Sequence, residues 1–351
     1  MAIDPDKLNQ LLGRFLDDFG AAFHAGMAVL GDKLGLYKAL AEGGPCTSSE
    51  LAERTNTTER YVREWLASQV AGGYVSYDRE AGKYYLTEEQ AFVQDENGPV
   101  FMPSAFEVVV AALKSDAKVA DAFSTGKGVG WHEHDPGLFR GTERFFRPGY
   151  AANLISAWIP SLDGVEGKLK AGAKVADVGC GHGVSTILMA KAFPKSTFIG
   201  FDYHGPSIEY ARNAADKAGV GDRVSFEVAK AKDYPGSDYD FVTFFDCLHD
   251  MGDPVGASAH VLQSLKRDGT WMIVEPFAGD SLEENLNPRG RAFYGVSTLV
   301  CTPASLSQEV GLGLGAQAGE KRIGDVVKSG GFTRFRRASE TPFNLVFEAR
   351  P

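Results

Sequence analysis

The stretch "AGAKVADVGCGHGVSTILMAKAF", residues 171–193, constrains the fold more than any other part of the chain. An apolar β-run leads into a loop dense in glycine, and a helical pattern follows directly. Similar alternation continues along the chain, and strands that alternate with helices predict an α/β fold with a parallel sheet covered by helices on both faces. Strands are predicted near residues 173–178, 197–202, 223–228, 240–245 and 270–275.

The end of the chain breaks this alternation. Two further β-rich runs, residues 332–337 and 343–349, are separated by a short turn instead of a helix. Strands joined by a short connection pair in antiparallel fashion. The sequence therefore predicts an antiparallel hairpin after the parallel strands.

The N-terminal third has a different pattern. Apolar residues recur every three or four positions from residue 7 to residue 41, which predicts one long helix or two helices with a break near Gly31–Gly35. Residues 46–90 then indicate a helix, a turn, a second helix and a β-hairpin, which is the order of a winged helix. At 351 residues the chain is long for one core. The predicted domains are a helical winged-helix domain (1–100), a helical linker that caps a substrate pocket (101–165) and the sheet domain (166–351).

Charge and composition exclude some functions. The net charge is −10, and the winged helix carries five basic residues against eight acidic ones, so binding to nucleic acid is disfavoured. No apolar run reaches the roughly 20 residues of a membrane span, and the first residues lack a signal-peptide pattern. A cytoplasmic protein is therefore expected. Its four cysteines are widely spaced and are expected to be reduced thiols.

The glycine loop indicates the kind of ligand. Gly179, Gly181 and Gly183 form GxGxG, whereas a dinucleotide fingerprint needs a further glycine where Val184 stands. Asp202 follows the second strand, and its two carboxylate oxygens match the two hydroxyls of a ribose. With Asp177 available to face an ammonium group, the pattern favours a nucleoside that carries an amino acid. S-adenosylmethionine fits that description.

These residues resemble those of the class I S-adenosylmethionine-dependent methyltransferases, and in particular the winged-helix small-molecule O-methyltransferases. The chain is most similar to an actinobacterial, mycobacterial-type subgroup. The resemblance covers nearly the whole chain. It implies a seven-stranded, mostly parallel Rossmann-like sheet with an antiparallel last strand, and a homodimer formed through the N-terminal domain. It also implies S-adenosyl-L-homocysteine as the product.

The resemblance carries over to individual positions of the cofactor site. Asp177, Gly179 and Gly181 match the first motif of the family, and Asp202 matches its ribose-binding acid. Many relatives have an acidic residue after the third strand to bind the adenine amino group, whereas this chain has Lys230. The adenine contact is left open between the nearby backbone and Asp233. The predicted cofactor-binding residues are Asp177, Gly179, Cys180, Gly181, Asp202, Tyr203, Lys230, Ala231 and Asp246.

The loop "FFDCLHDMGDP", residues 244–254, follows the fourth strand at the ligand-binding edge of the sheet. His249 and Asp250 resemble the catalytic "HD" pair of the family, and Glu275 matches an acid that lies beside this histidine. A histidine with a pKa of about 6.5 can accept the proton of an acceptor hydroxyl near neutral pH. Asp253 and Pro254 are explained by the start of a helix, as N-cap and first residue. Lining of the methionine pocket is the alternative role for His249.

Other candidates concern the acceptor. The predicted substrate pocket comprises His132, Phe146, Tyr150, Phe293 and Tyr294, although such aromatic residues are more often core residues. His132 and His134 supply one corner of a metal site, but no second cluster completes it, and no metal is predicted. The predicted function is methyl transfer to a small, aromatic or apolar acceptor, at oxygen with His249 as base. The alternatives are transfer to nitrogen or carbon, a winged-helix regulator that binds S-adenosylmethionine, and an NAD enzyme, which Val184 opposes.

Overall fold

The computed structural model describes residues 3–351 and divides them into two compact units. The first unit extends to Ala111 and includes Arg140–Pro148, and the second comprises Ala112–Phe139 and Gly149–Pro351. The predicted middle segment, residues 101–165, is thus shared between the units. Two helices, α6 (Pro103–Leu113) and α8 (Gly137–Asn153), have residues in both.

The first unit begins with a long helix and continues as a winged helix. Thr47 caps the helix that follows it with a reciprocal capping box, because its side chain accepts from Glu50 N–H while the Glu50 carboxylate accepts from Thr47 N–H. The predicted winged-helix domain is confirmed. Its elements are α1 (Pro5–Lys33), α2 (Leu36–Gly43), α3 (Ser48–Thr55), α4 (Glu59–Ala71), β1 (Ser76–Asp78), β2 (Lys83–Tyr85) and α5 (Glu88–Phe92). Leu40, Leu51, Trp65 and Leu66 lie in its core.

A charge cluster fastens α8 inside this first unit. The Arg144 guanidinium donates to both carboxylate oxygens of Asp32, at 2.7 and 3.0 Å, and to Glu107 at 3.2 Å. It also donates to Glu96 at 2.9 Å. The Arg144 side chain is only 12% exposed and that of Glu107 only 6%. Arg144 therefore compensates the charges of Asp32 and Glu107, which are largely withdrawn from water, and Arg140 also pairs with Glu107.

The second unit contains a seven-stranded sheet, as counted among the described residues. Its strands are β3 (Lys174–Val178), β4 (Thr197–Asp202), β5 (Val224–Val228), β6 (Tyr239–Phe245), β7 (Leu265–Pro276), β8 (Arg334–Glu340) and β9 (Asn344–Arg350). The order across the sheet is β5-β4-β3-β6-β7-β9-β8, and the pairs among β3 to β7 are parallel. The last strand, β9, lies between β7 and β8 and is antiparallel to both. The predicted fold class is confirmed.

The helices of this unit precede the sheet or connect its strands. They are α7 (Asp116–Thr125), α9 (Val165–Ala171), α10 (Val184–Ala192), α11 (Gly205–Lys217), α12 (Pro254–Ser264), α13 (Pro288–Val296), α14 (Thr302–Leu306) and α15 (Gly319–Ser329). Asp253 caps α12 and Pro254 is its first residue, as predicted. Within residues 3–351, no helix is both long enough and apolar enough to cross a membrane.

Buried strands on both faces explain the apolar runs of the sequence. Every residue of β6 except Asp240 is buried, and Thr243 is the polar exception in the middle of this strand. Parallel strands that are covered on both sides are apolar nearly throughout. The Thr243 hydroxyl, in a strand buried on both faces, needs a hydrogen-bond partner. That partner is a residue of the site described below.

Substitution of Arg144 by methionine is expected to destabilise the first unit by about 2–4 kcal/mol, because Asp32 would lose its guanidinium partner and the buried Glu107 would keep only Arg140. Urea denaturation followed by circular dichroism measures the change. Arg60→Met removes an exposed pair with Glu64 on one face of α4 and serves as the control, with no measurable change expected. Equal shifts for both variants would contradict the assigned role of Arg144.

Candidate active site

The loop after β3 adopts a conformation that requires glycine. Gly179, Gly181 and Gly183 have φ angles of 73°, 51° and 79°, in the left-handed region. A Cβ atom on Gly179 would lie 2.7 Å from Cys247 Sγ, and one on Gly183 would lie 2.7 Å from the Phe226 ring. The loop therefore lies against the segment that follows β6. It also leads directly into α10, whose first backbone amides have no partner within the helix.

Asp177 lies beneath this loop and is fully buried. Its Oδ2 accepts hydrogen bonds from the hydroxyls of Ser185 and Thr186, each at 2.6 Å, and its Oδ1 accepts from Thr243 at 3.0 Å. Burial raises the pKa of Asp177 to about 6, although the three hydroxyls oppose this shift. The carboxylate thus joins β3, β6 and α10. The predicted contact with an ammonium group stays a prediction.

Asp202 ends β4 beside the same loop. Its two oxygens accept from the backbone N–H groups of Gly181 and His204, each at 2.9 Å. Each carboxylate oxygen has further acceptor capacity, so a diol remains a suitable ligand. Burial raises the pKa of Asp202 above its usual value. Lys230 is exposed and its backbone N–H donates to Asp233, while the backbone of Ala229 bonds to Asp202 O.

Residues 132–139, which lead into α8 and include its first residues, lie against the end of β4 within the second unit. The Phe139 ring stacks on His204, with centroids 4.4 Å apart, and His132 contacts Tyr203 edge to face at 6.4 Å. Tyr203 is 41% exposed. Aromatic rings therefore gather at the Asp202 end of the site, where a flat heterocycle could stack.

His249 occupies the turn after β6 and is buried. Its Nδ1 lies 2.5 Å from Glu275 Oε2, at the end of the neighbouring strand β7. The other oxygen of Glu275 accepts from Leu248 N–H at 2.9 Å, so contacts at both oxygens fix the carboxylate. Burial lowers the pKa of His249, but the carboxylates of Asp250 and Glu275 raise it more, and the pKa lies well above 6.5. The structure thus brings His249, Asp250 and Glu275 together, and their catalytic roles stay a prediction.

Asp250 lies on the other side of the imidazole. Its Oδ1 is 3.1 Å from His249 Nε2, although that oxygen takes part in no hydrogen bond of suitable geometry. Its Oδ2 accepts from the indole N–H of Trp131 at 3.0 Å. Cys301 Sγ, a ring nitrogen of His249 and an Asp250 oxygen lie within 4.8 Å of one another, and such atoms can hold a proton or a metal ion.

Asp246 immediately follows β6. Its Oδ2 accepts from the Tyr150 hydroxyl at 2.7 Å, and its Oδ1 accepts from Asn344 Nδ2 at 2.9 Å. Asn344 begins β9, so the final strand contributes to this edge of the sheet. Burial raises the pKa of Asp246 to about 8, and the neighbouring carboxylates of Glu275 and Asp250 add to this effect.

Other predicted pocket residues are less closely tied to this cluster. His132 is exposed, and Phe293 and Tyr294 lie on α13, where Tyr294 is also exposed. Phe146 belongs to the first unit, where its ring contacts Phe145. The role of all four in substrate binding stays a prediction. His134 is buried and its Nδ1 bonds with Ser115 Oγ at 3.0 Å.

The sequence analysis did not identify several residues of the site. Thr243 was identifiable as a polar residue within a buried strand, and Ser185 and Thr186 as hydroxyls in the first turn after the glycine loop. Trp131, Cys301 and Asn344 had no such signal, because each reaches the site from a distant part of the chain.

Comparison with known proteins identifies both domains. Residues 169–310 match the family model of a methyltransferase domain, and residues 22–94 match that of an Rv2258c-like winged HTH domain. The chain therefore carries a methyltransferase domain preceded by a winged helix-turn-helix domain, and the predicted combination of these two domains is confirmed.

A curated relative and two solved structures are similar to this chain. The 27-O-demethylrifamycin SV methyltransferase of Amycolatopsis mediterranei is 33% identical over 154 residues, which are 42% of this chain and 48% of that protein. The chain thus matches less than half the length of that relative, and smaller shares of two others. A candidate O-methyltransferase of Nostoc punctiforme PCC 73102 has a TM-score of 0.76 at 19% identity, over 100% of each chain. Human N-acetylserotonin methyltransferase in complex with SAM has a TM-score of 0.70 at 17% identity, over 100% of this chain and 99% of that one.

Replacement of Glu275 by glutamine is expected to lower the pKa of His249, because it removes a negative charge that stabilises the imidazolium. Nuclear magnetic resonance titration of isotope-labelled histidine measures this pKa. Asp240→Asn, at the opposite end of β6, removes a carboxylate that pairs with Lys266 and should leave His249 unchanged. An unaltered His249 titration in the Glu275 variant would contradict the proposed pairing.

Proposed function

We propose that this chain, whose methyltransferase domain follows a winged helix-turn-helix domain, transfers the methyl group of S-adenosylmethionine to a small aromatic or apolar acceptor. The proposed acceptor atom is a hydroxyl oxygen, and His249 is the proposed general base. The observation that carries this proposal is the buried His249–Glu275 pair, held at 2.5 Å beside the glycine loop. Such a pair suits the removal of a proton from a hydroxyl.

The residues of the site fit the proposed cofactor. The glycine loop lets a ligand approach the backbone closely, and Asp202 has acceptor capacity for a ribose diol. Tyr203 and the nearby rings provide a surface for the adenine. Gly179, Gly181, Asp202 and Tyr203 would hold the nucleoside, with Cys180, Lys230 and Ala231 beside it. When bound, S-adenosylmethionine supplies an activated methyl group on a sulfonium whose leaving group is neutral.

His249 can act as the base because its two nitrogens have different surroundings. Glu275 accepts from Nδ1–H and stabilises the imidazolium that forms, so the proton of the acceptor hydroxyl would pass to Nε2, the nitrogen that faces Asp250. The nearby Asp250 oxygen also favours the protonated ring. Since the pKa of His249 is raised, the free base becomes more populated as the pH increases through that pKa, and the rate of methyl transfer should increase with it.

Transfer to nitrogen or carbon is the first alternative, because a neutral amine needs no base. The second alternative is a regulator that binds S-adenosylmethionine and uses its winged helix on DNA. On α4, Arg60 pairs with Glu64 and Arg63 pairs with Glu59, so two of the basic side chains are already matched with acids on the same helix. This arrangement favours the enzyme over the regulator, because binding to DNA needs basic side chains that can face phosphates. A cytoplasmic location stays a prediction.

We also propose a homodimer formed through the N-terminal domain. One half of α1 exposes a stripe of large apolar side chains with helical spacing: Leu8, Leu11, Leu12, Phe15, Leu16, Phe19 and Phe23. A stripe of this kind is unfavourable in water, and a two-fold dimer would cover the same surface on both copies. The homodimer thus explains an apolar surface that the described part of the chain leaves uncovered.

The His249→Gln variant is expected to lose methyl transfer by roughly 10²–10⁴-fold while binding S-adenosylmethionine normally, because glutamine cannot accept the proton. Activity is measured as release of S-adenosylhomocysteine with small phenols as acceptors, and binding by calorimetry. Wild-type activity should increase with pH through a midpoint above 6.5, and this dependence should vanish in the variant. The control is His260→Gln, which replaces a histidine that bonds to Tyr234 O. This variant is expected to keep the wild-type rate and pH dependence. Undiminished turnover in the His249 variant would falsify the base assignment.

A chelator separates the base from a metal-assisted reaction at the same cluster. Dialysis against EDTA is expected to leave the rate unchanged when His249 acts as a base. Loss of activity that zinc restores would instead assign His249, Asp250 and Cys301 to a metal ion.

Replacement of Phe15 and Phe19 by glutamate is expected to convert the dimer into monomers, because two buried charges per copy would oppose the contact. Analytical ultracentrifugation measures the mass. Replacement of Asp17 by asparagine on the same helix is the control and should preserve the dimer. A wild-type protein that sediments as a monomer at micromolar concentration would contradict the proposal.

A further inference from the structure

We propose that Asp246 gives the donor site its selectivity for charge, so that the site binds the cationic sulfonium donor more tightly than the neutral thioether product. This inference rests on the proposed function, since it takes S-adenosylmethionine as the donor. It concerns a carboxylate that the proposed transfer step does not use.

Asp246 lies at the same edge of the sheet as the glycine loop. It directly follows β6, and β6 pairs with β3, whose end carries the loop. The next residue, Cys247, approaches Gly179 so closely that a Cβ atom there would be 2.7 Å from Cys247 Sγ. Cys247 Sγ also lies 3.4 Å from Val178 O. Asp246 is therefore beside the loop and two residues away from the turn that contains His249.

The conformation of Asp246 is strained and firmly held. Its φ angle is +49°, which is uncommon for a residue with a side chain. Its N–H donates to Val274 O at 2.7 Å, which fixes the backbone against β7. Tyr150 and Asn344 then fix one carboxylate oxygen each. Strain of this kind persists where surrounding contacts hold it and is typical of functional sites.

Both side chains that hold the carboxylate are neutral. The Tyr150 hydroxyl and the Asn344 amide orient Asp246, but neither carries a positive charge that would neutralise it. Tyr150 and Asn344 are themselves buried, each 7% exposed. Their hydrogen bonds therefore fix the position of the carboxyl group without supplying a positive charge, so that a cationic ligand would be the group that favours its ionised form.

The surroundings add further negative charge. Five carboxylates gather at this edge of the sheet: Asp177, Asp202, Asp246, Asp250 and Glu275. Within residues 3–351, none of them lies at salt-bridge distance from a lysine or arginine, and His249 is shared by two of them. Burial, with a further contribution from the neighbouring carboxylates, raises the pKa of Asp246 to about 8, and a cation bound beside it would lower this pKa and favour the ionised form. A cation placed among these groups would be attracted, and a neutral ligand would not be.

The other four carboxylates have tasks of their own. Asp177 is bound by three hydroxyls, and Asp202 lies at the proposed ribose end. Asp250 and Glu275 flank His249. Asp246 remains as the carboxylate without such a task, held by a hydroxyl and an amide two residues before the turn that contains the proposed base.

This selectivity would favour the donor over the product, because the ligand loses its positive charge during the reaction. The acceptor oxygen forms a bond to the methyl carbon while the carbon–sulfur bond breaks, and sulfur keeps the electron pair. The hydroxyl proton passes to His249 Nε2. The positive charge thus moves from sulfur to the imidazole, and the thioether loses its attraction to Asp246. Product affinity falls relative to donor affinity, which limits inhibition by the product.

Asp246→Asn tests the inference, because it removes the charge with little change in shape. Calorimetry measures the Kd values of S-adenosylmethionine, S-adenosylhomocysteine and sinefungin, in which an amine-bearing carbon replaces the sulfonium. The variant is expected to bind both cationic ligands about tenfold more weakly and to bind S-adenosylhomocysteine within about twofold of wild type. Equal weakening of all three ligands would overturn the proposal and leave Asp246 a brace of the loop.

Tyr150→Phe is the matched control. It removes one hydrogen bond but keeps the charge of Asp246, so the ratio of the Kd values of product and donor should stay close to that of wild type. A ratio that falls as far as in the Asn variant would assign the selectivity to geometry instead of charge. Should the Asn variant fail to fold, wild-type protein that binds the product as tightly as both cations would overturn the proposal. Wild-type protein that binds none of the three ligands would refute the proposed function itself.

Discussion

The carboxylate of Asp177 holds together the three elements on which the site depends. It lies in β3, accepts from Thr243 in β6 and accepts twice from the first turn of α10. The glycine loop is the connection between β3 and α10, so its shape is set by these bonds at both ends. The segment after β6, which contains Asp246 and His249, is placed against the same loop by the same strand pairing. A buried carboxylate thus determines the relative positions of the proposed nucleoside site and the proposed base.

The fold was largely predictable from the sequence because its signals are local. The predicted strands, the C-terminal hairpin and the winged helix rest on apolar periodicity and on turn residues, and the structure confirms them. Strand boundaries differ by a few residues, most at β7, which begins at Leu265 instead of near residue 270. The domain boundaries were harder to infer. The contact between Arg144 and Asp32 joins positions that are 112 residues apart, and no local sequence pattern indicates it.

The site was predictable where a motif lies on one continuous segment. The glycine loop, Asp202 and the His249–Asp250 pair follow strands, and the order of the sheet brings them to one edge. The sequence could not show which groups would surround them. Trp131 reaches Asp250 across 119 positions and Asn344 reaches Asp246 across 98. The electrostatic state of His249 depends on these arrangements, since burial and two carboxylates act on its pKa in opposite directions.

The position of β9 has a consequence for how the protein is made. This strand is inserted between β7 and β8, and its first residue, Asn344, holds the Asp246 carboxylate. A ribosome delivers β7 well before it delivers β9, whereas β8 ends only four positions before β9 begins. Until β9 is available, the edge of β7 that pairs with it is open. β9 therefore covers the edge of β7 and brings Asn344 to Asp246 at the same time, so a chain that lacks residues 344–350 has neither contact.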